Sequence, residues 1–137
     1  MDSYKDKNDI QIRFNDIDLA GHVNNAIYQY YYDFGKLRFF DNIFNNNIDW
    51  TKEGFVLLKI EVEYFNPTYL HDNIEVLTKI SEIKNKSLII EQIIREKGND
   101  NINDIKSKSI SVMVAYDFIK KESMQIPEDW KSLMLKY

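Results

Sequence analysis

Ile10, Ile12 and Phe14 alternate with polar neighbours, the two-residue period of a short strand over Ile10 to Phe14. From Ala26 the period changes. Ile27, Tyr30, Tyr31, Phe34, Leu37, Arg38 (by its stem), Asp41 and Phe44 mostly follow three-and-four spacing, which predicts a helix from about Asn25 to about Asn42. Tyr28, Tyr32 and Phe39 make its opposite side apolar too, so this helix should be embedded, wrapped by a sheet. Gly35 inside it costs roughly 1 kcal/mol relative to Ala; close packing against a neighbouring backbone would offset that, and simple drift explains the residue equally well. The Asn-rich stretch Asn42 to Thr51 reads as a surface loop or a mobile lid.

Beyond Gly54 the pattern alternates. Leu58, Ile60, Val62 and Tyr64 share one face of a strand over about Phe55 to Phe65, with Lys59, Glu61 and Glu63 on the other, and Pro67 ends it. Ile74, Val76, Thr78 and Ile80 define the next strand, and Leu88, Ile90, Gln92 and Ile94 the one after, joined by a polar turn near Asn85. Lys97 to Asp104 is a hairpin loop by composition. In the last long strand Ser107, Ser109, Ser111, Met113 and Ala115 form a face of mostly small residues, opposite Ile110, Val112, Val114, Tyr116 and Phe118. Pro127, Glu128 and Asp129 favour a short terminal helix anchored by Trp130 and Leu133. The layout is α+β, in the order β-α-β-β-β-β, with about five antiparallel strands, one long central helix and a short C-terminal helix. One helix covers one face of such a sheet, so pairing of subunits is expected to hide the edges and remaining apolar surface.

The 137 residues, 44% of them apolar, suit a single domain over 1–137. A net charge of −4 argues against broad nucleic-acid binding, which needs a concentrated basic face. The absence of cysteine excludes disulfides, thiolate catalysis and cysteine-ligated zinc. Neither the charged start nor any apolar run suggests a secretion signal or membrane insertion, so a cytoplasmic protein is expected. Seventeen Tyr and Phe residues (nine and eight) point to large buried surfaces, including a subunit interface.

Candidate chemistry concentrates between Arg13 and Tyr32. Asp16 and Asp18 close the first strand, Gly21 permits positive φ, His22 follows, and Asn24 or Asn25 can cap the helix. A helix N-terminus offers unpaired N–H groups to a developing oxyanion, here with a carboxylate just upstream. Asp18 also suits a plain turn cap, Asp16 a structural role, and His22 a bond to a backbone carbonyl. Asp-x-Asp with a nearby His also matches a magnesium or phosphatase site, although no phosphate-cradling Gly loop accompanies it.

Two blocks carry a resemblance: Arg13 to Tyr28, RFNDIDLAGHVNNAIY, and Glu63 to Pro67 continuing through Leu70, His71 and Asp72. The chain resembles the hotdog-fold acyl thioesterases, in particular the 4-hydroxybenzoyl-CoA thioesterase group and the related acyl-carrier-protein thioesterases. That resemblance implies a hotdog fold and hydrolysis of an acyl-CoA or acyl-carrier-protein thioester to acid and thiol, without metal or organic cofactor. It implies that Asp18 acts on the thioester carbonyl as nucleophile or base, that the Asn25 backbone N–H binds the carbonyl oxygen, and that His22 joins them. Ala20 stands where the carrier-protein enzymes have an Asn, which leaves the carboxylate and helix-terminus mechanism. Gly21, Val23, Asn24, Tyr28 and Lys59 are the expected substrate-binding residues. Lys84, Lys86 and Arg95 are further candidates, by charge, for CoA phosphates. A homodimer or dimer-based tetramer is expected. The rival class is a hotdog protein that binds acyl thioesters without turnover, as sensor or carrier.

Overall fold

The computed structural model describes residues 1–137. Its elements are β1 (Asp6–Ile10), α1 (Tyr28–Phe44), β2 (Glu53–Tyr64), β3 (Ile74–Ile83), β4 (Ser87–Glu96), β5 (Ser107–Asp117), the two-residue β6 (Glu122–Ser123) and α2 (Glu128–Lys136). The strands form one antiparallel sheet in the order β1-β3-β4-β5-β2, with β6 beside β5. The β-α-β-β-β-β order and the terminal helix are as expected. β2 is an outer edge.

The first strand lies earlier than the alternation suggests. β1 pairs with β3 from Asp6↔Thr78 to Ile10↔Ile74, whereas Phe14 is exposed and begins a short 3-10 turn, Phe14–Asp16. Of the two buried positions in β1, Asp6 and Ile10, the first is polar: Asp6 accepts hydrogen bonds from Asn42 at 2.8 Å and from Tyr137 at 2.7 Å. A search for apolar alternation passes over it.

α1 crosses the sheet on the side of β5's serine face. A 3-10 turn, Asn25–Ile27, leads into it, and Asn45 ends it in the left-handed conformation (φ 42°). The face that meets the sheet carries Tyr28, Tyr31, Tyr32, Gly35, Phe39 and Ile43, all buried. Tyr30, Phe34 and Leu37 are exposed in the single chain. The helix is therefore covered on one side rather than all round, and the set read as its main apolar face points partly to solvent. Close packing accounts for Gly35: a Cβ there would stand 2.7 Å from Gln92 Nε2 and 2.9 Å from a Val76 methyl. Ser107, Ser109, Ser111 and Ala115 are wholly buried beneath α1, as the small-residue face predicts.

Two clusters fill the helix side of the sheet. Tyr28, Tyr31, Tyr32, Ile74, Val76 and Ile94 surround the start of α1, while Phe40, Phe44, Phe55 and Trp130 stack around its end. Trp130 and Met134 are the buried anchors of α2, with Leu133 partly buried against them. Trp50 and buried Ile48 pin the Asn-rich loop to this second cluster, Trp50 against Phe40, so that segment is not a free lid. The other sheet face is partly covered as well, because Tyr4 of the N-terminal segment lies with Leu77, Ile93 and Ile105. In β2 a bulge between Leu57 and Lys59 interrupts the alternation and leaves Leu58 70% exposed.

Candidate active site

The segment after β1 is held by one buried carboxylate. Asp16 accepts from the Tyr31 hydroxyl at 2.6 Å, from the Arg13 N–H at 3.0 Å and from the Arg13 guanidinium at 3.3 and 3.2 Å. Burial alone would raise its pKa, but these donors more than offset it and hold the carboxyl below the usual range. Asp16 is thus a strut, the structural role expected of it. Its carbonyl also receives the Asn24 N–H at 2.8 Å, which ties the strut to the start of the helix.

From here the chain makes a tight excursion. Ile17 and Val23 pair as an isolated bridge. Inside it the Asp18 N–H donates to His22 O at 2.9 Å and the Gly21 N–H to Asp18 O at 3.0 Å. Gly21 has φ 82°, where its lack of a Cβ is needed. Asp18 Oδ1 accepts the Ala20 N–H at 2.9 Å, which fixes the carboxylate's orientation, while no group of the chain donates to Oδ2. The side chain is exposed.

The helix start follows immediately. Asn24 Oδ1 accepts the Ala26 N–H and Asn24 O the Ile27 N–H, both at 2.9 Å. The Asn25 N–H takes no acceptor from the chain, and the Asn25 carbonyl is held by Tyr64 O–H at 3.1 Å. One peptide N–H at the positive end of a helix is therefore left without a chain acceptor, in the same short segment as the fixed Asp18 carboxylate.

Asp18, His22, Val23, Asn25 and Tyr28 line one cavity of about 290 Å³, together with Tyr64, Phe65, Asn66 and Pro67. His22 meets Tyr69 edge-on at 5.0 Å. The Val23 N–H donates to Thr68 O at 2.8 Å, and Thr68 Oγ1 bonds the Tyr28 hydroxyl at 2.8 Å. Burial pushes the Tyr28 and Tyr64 hydroxyls up, so both are neutral near pH 7. The wall from Tyr64 to Tyr69 was missed as a source of lining residues. Its signal was the Tyr-Phe-Asn-Pro block that closes β2, read as the end of a strand and as a carrier of the family resemblance but not as a wall of the site. A larger hollow of about 750 Å³ lies between β1 and α1, lined by Asp9, Gln11, Arg13, Tyr30 and Phe34, and its one carboxylate, Asp9, is engaged by Lys97 at 2.8 Å.

The remaining expected residues fall elsewhere. Gly21 shapes the turn without lining the cavity, and the Asn24 side chain is taken up by its cap. Lys59 lies five residues up β2 from Tyr64, exposed and paired with Glu61 at 3.0 Å. Arg95 is buried and engaged with Glu75 at 3.2 Å and Asp100 at 2.7 Å, so it is not free for a phosphate. Lys84 and Lys86 flank the β3–β4 turn, where Asn85 and Lys86 accept from Ile126 and Ala115, at the sheet end opposite the cavity. No group of three or more His, Asp and Glu side chains is arranged to hold a metal ion, and no helix is long and apolar enough to cross a membrane.

Residues 12–133 match the thioesterase-like superfamily. The chain belongs to that superfamily. It is 24% identical over 121 residues to the acyl-CoA thioester hydrolase YbgC of Escherichia coli O6:H1, covering 87% of each. A predicted thioesterase from Bacillus stearothermophilus is 25% identical and superposes with a TM-score of 0.82 over 95% of this chain and 93% of its own. A thioesterase from Thermus thermophilus, solved with coenzyme A and zinc, is 24% identical with a TM-score of 0.85 over 99% and 96%. The superfamily's fold accounts for the curled sheet, the long helix and the short terminal helix of this chain.

Proposed function

We propose that the chain hydrolyses acyl-CoA thioesters, with Asp18 and the Asn25 N–H as its working pair. The observation that carries the proposal is their opening onto one cavity, in a member of the thioesterase-like superfamily. Hydrolysis needs an oxygen brought to the thioester carbon and donors aimed where charge builds on the carbonyl oxygen. The Asn25 N–H supplies the donor. Asp18 Oδ2, the carboxylate oxygen free of chain donors, attacks the carbon or takes a proton from an attacking water. On the water route, collapse of the tetrahedral species breaks the C–S bond and releases the acid, and the leaving thiolate takes the proton that Asp18 removed from water. On the direct route the thiolate leaves and takes a proton from solvent, and water then hydrolyses the mixed anhydride left on Asp18 to free acid and carboxylate. His22, on the same wall, orients the thioester. YbgC's name and the coenzyme A bound to the Thermus relative support CoA as the carrier, and an acyl-carrier protein is the other carrier of the same chemistry.

The functional unit is a homodimer, alone or in a dimer-based tetramer, with the site at the subunit boundary. Support comes from β2, an unpaired edge that exposes Leu57 and Leu58, 43% and 70%. Thiol release from a panel of short, long and aryl acyl-CoAs and acyl-carrier proteins tests the activity. Turnover of at least one substrate is expected. Tight acyl-CoA binding with no release from any member would replace the enzyme by a carrier or sensor.

A further inference from the structure

Four side-chain atoms are buried without a hydrogen-bond partner: Lys36 Nζ, Gln92 Oε1, Ser109 Oγ and Ser111 Oγ. They come from three elements that the topology brings together. Tyr32 of α1 donates to Ser107 Oγ at 2.6 Å. Two turns later Phe40 stacks on Phe55, whose partner on β5 is Ala115. α1 and β5 thus run in the same sense. Lys36, one turn from Tyr32 and one from Phe40, falls on the helix between the residues that meet the two ends of β5, and Ser109 and Ser111 lie between those ends. Gly35 fixes the adjoining side, since a Cβ there would meet Gln92 Nε2 and Gln92 pairs with Ser109.

The three serines are not equivalent. Ser107 accepts from Tyr32 and donates to Glu63 O at 2.7 Å, so the fold uses it fully. Ser109 and Ser111 are equally buried and receive nothing. The Lys36 side chain is 6% exposed, and the Asp33 carboxylate at 3.8 Å, itself 58% exposed, is too far for a hydrogen bond. Burial pushes the Lys36 ammonium down, Asp33 opposing in part. A buried cation with no hydrogen-bond partner and only a distant, exposed counter-charge opposes folding, and an apolar side chain of similar size would serve a purely structural position better.

Strand register relates this cluster to the candidate active site. Tyr64 lines the cavity and pairs with Ser107 across β2 and β5; the next two pairs on the same face are Val62 with Ser109 and Ile60 with Ser111. Val62 and Ile60 are half-buried. Ser109 and Ser111 lie two and four positions along the strands from the Tyr64–Ser107 pair at the thioester end, about 7–14 Å, past the apolar Val62 and Ile60.

We propose that Lys36, Ser109 and Ser111 receive a carboxylate at the far end of the acyl chain, making the substrate a thioester of a medium-length dicarboxylic acid. The inference rests on the thioesterase function proposed above. A carboxylate supplies negative charge and acceptors for one ammonium and two hydroxyls, and the ammonium's three protons suffice in number for Gln92 Oε1 as well.

The test compares kcat/KM for adipoyl-CoA against hexanoyl-CoA, and suberoyl-CoA against octanoyl-CoA. The enzymes are the wild-type chain, Lys36→Met and the Ser109→Ala/Ser111→Ala double variant. The wild type should favour the carboxylated member of at least one pair by about tenfold or more. Lys36→Met should erase that preference through KM, leave turnover of the neutral member within about threefold, and melt no lower than wild type. The serine double variant should weaken the preference in the same direction, and it carries the test if Lys36→Met does not fold. Equal rates within both pairs, or a preference unchanged in the variants, overturn the inference while hydrolysis of the neutral substrates leaves the thioesterase function standing. A wild-type chain inert towards every acyl-CoA and acyl-carrier protein overturns both.

Discussion

Replacing Asp16 by Asn tests how the turn of the candidate site is held. The side chain is fully buried, and one of its oxygens receives both the Tyr31 hydroxyl and the Arg13 N–H, the other the Arg13 guanidinium. An Asn of the same shape can keep its oxygen toward Tyr31 and the Arg13 N–H, but those two bonds lose their charge, about 1 kcal/mol each, and its NH₂ is left facing a guanidinium, about 1 kcal/mol more. The guanidinium contact itself adds little, because the Arg13 side chain is 66% exposed. The sum is a loss of about 3 kcal/mol, read by urea denaturation at fixed protein concentration. The sign with pH follows from the lowered pKa of Asp16. Its contribution is fully present above the unfolded carboxylate value, about 3.9, and is lost as pH falls through the lower folded value. The gap between wild type and variant should therefore hold steady from neutrality to about pH 5 and close only in stronger acid. A gap below about 0.5 kcal/mol at pH 7, or one that closes between about pH 5 and 7, would refute the reasoning.

Gly35→Ala gains about 1 kcal/mol of helix propensity but drives a methyl into Gln92 and Val76, where overpacking costs about 1–3 kcal/mol; the melting temperature should fall, and a rise would show that the helix is not pressed on the sheet there. His22→Ala should slow turnover by about tenfold, less than loss of the Asp18 carboxylate, since a positioning group takes no part in bond making; a folded His22 variant more damaged than an Asp18 variant reverses the two roles. Leu58→Glu places a charge on the exposed edge of β2 and should shift light scattering from the proposed dimer toward monomer; a dimer unchanged by the substitution would move the interface elsewhere, and a monomeric wild type would remove it.

The strands and helices whose apolar residues keep one period were legible in the sequence. β3, β4 and β5 lie where alternation puts them, and the small-residue face of β5 is the one pressed beneath α1. Legibility failed where polar groups take buried positions or backbone geometry breaks the period. β1 is marked by Asp6, whose burial depends on Asn42 and Tyr137, both distant in sequence. The bulge at Leu58 leaves no signal in residue type. α1 was ambiguous because a helix apolar all round does not say which side meets the sheet; tyrosine hydroxyls decide it, through Asp16, Thr68 and Ser107. The loop from Asp18 to Asn25 was the most legible part of the site, being contiguous. The opposite wall from Tyr64 to Tyr69 reaches it only through β2 and through Thr68, which binds Val23 and Tyr28, a meeting that local sequence does not encode.

The measurement that bears most directly on the proposed mechanism is kcat for Asp18→Asn on the best substrate found, taken with a melting curve and a sizing run on the same preparation. The Asn side chain can still accept the Ala20 N–H, so the turn should survive with a stability loss of about 1 kcal/mol or less. An amide cannot serve as carboxylate nucleophile or base. The account predicts a folded variant of unchanged oligomeric state that binds acyl thioester and turns it over at least about 10²-fold more slowly. A folded variant whose kcat stays within about threefold of wild type would contradict it.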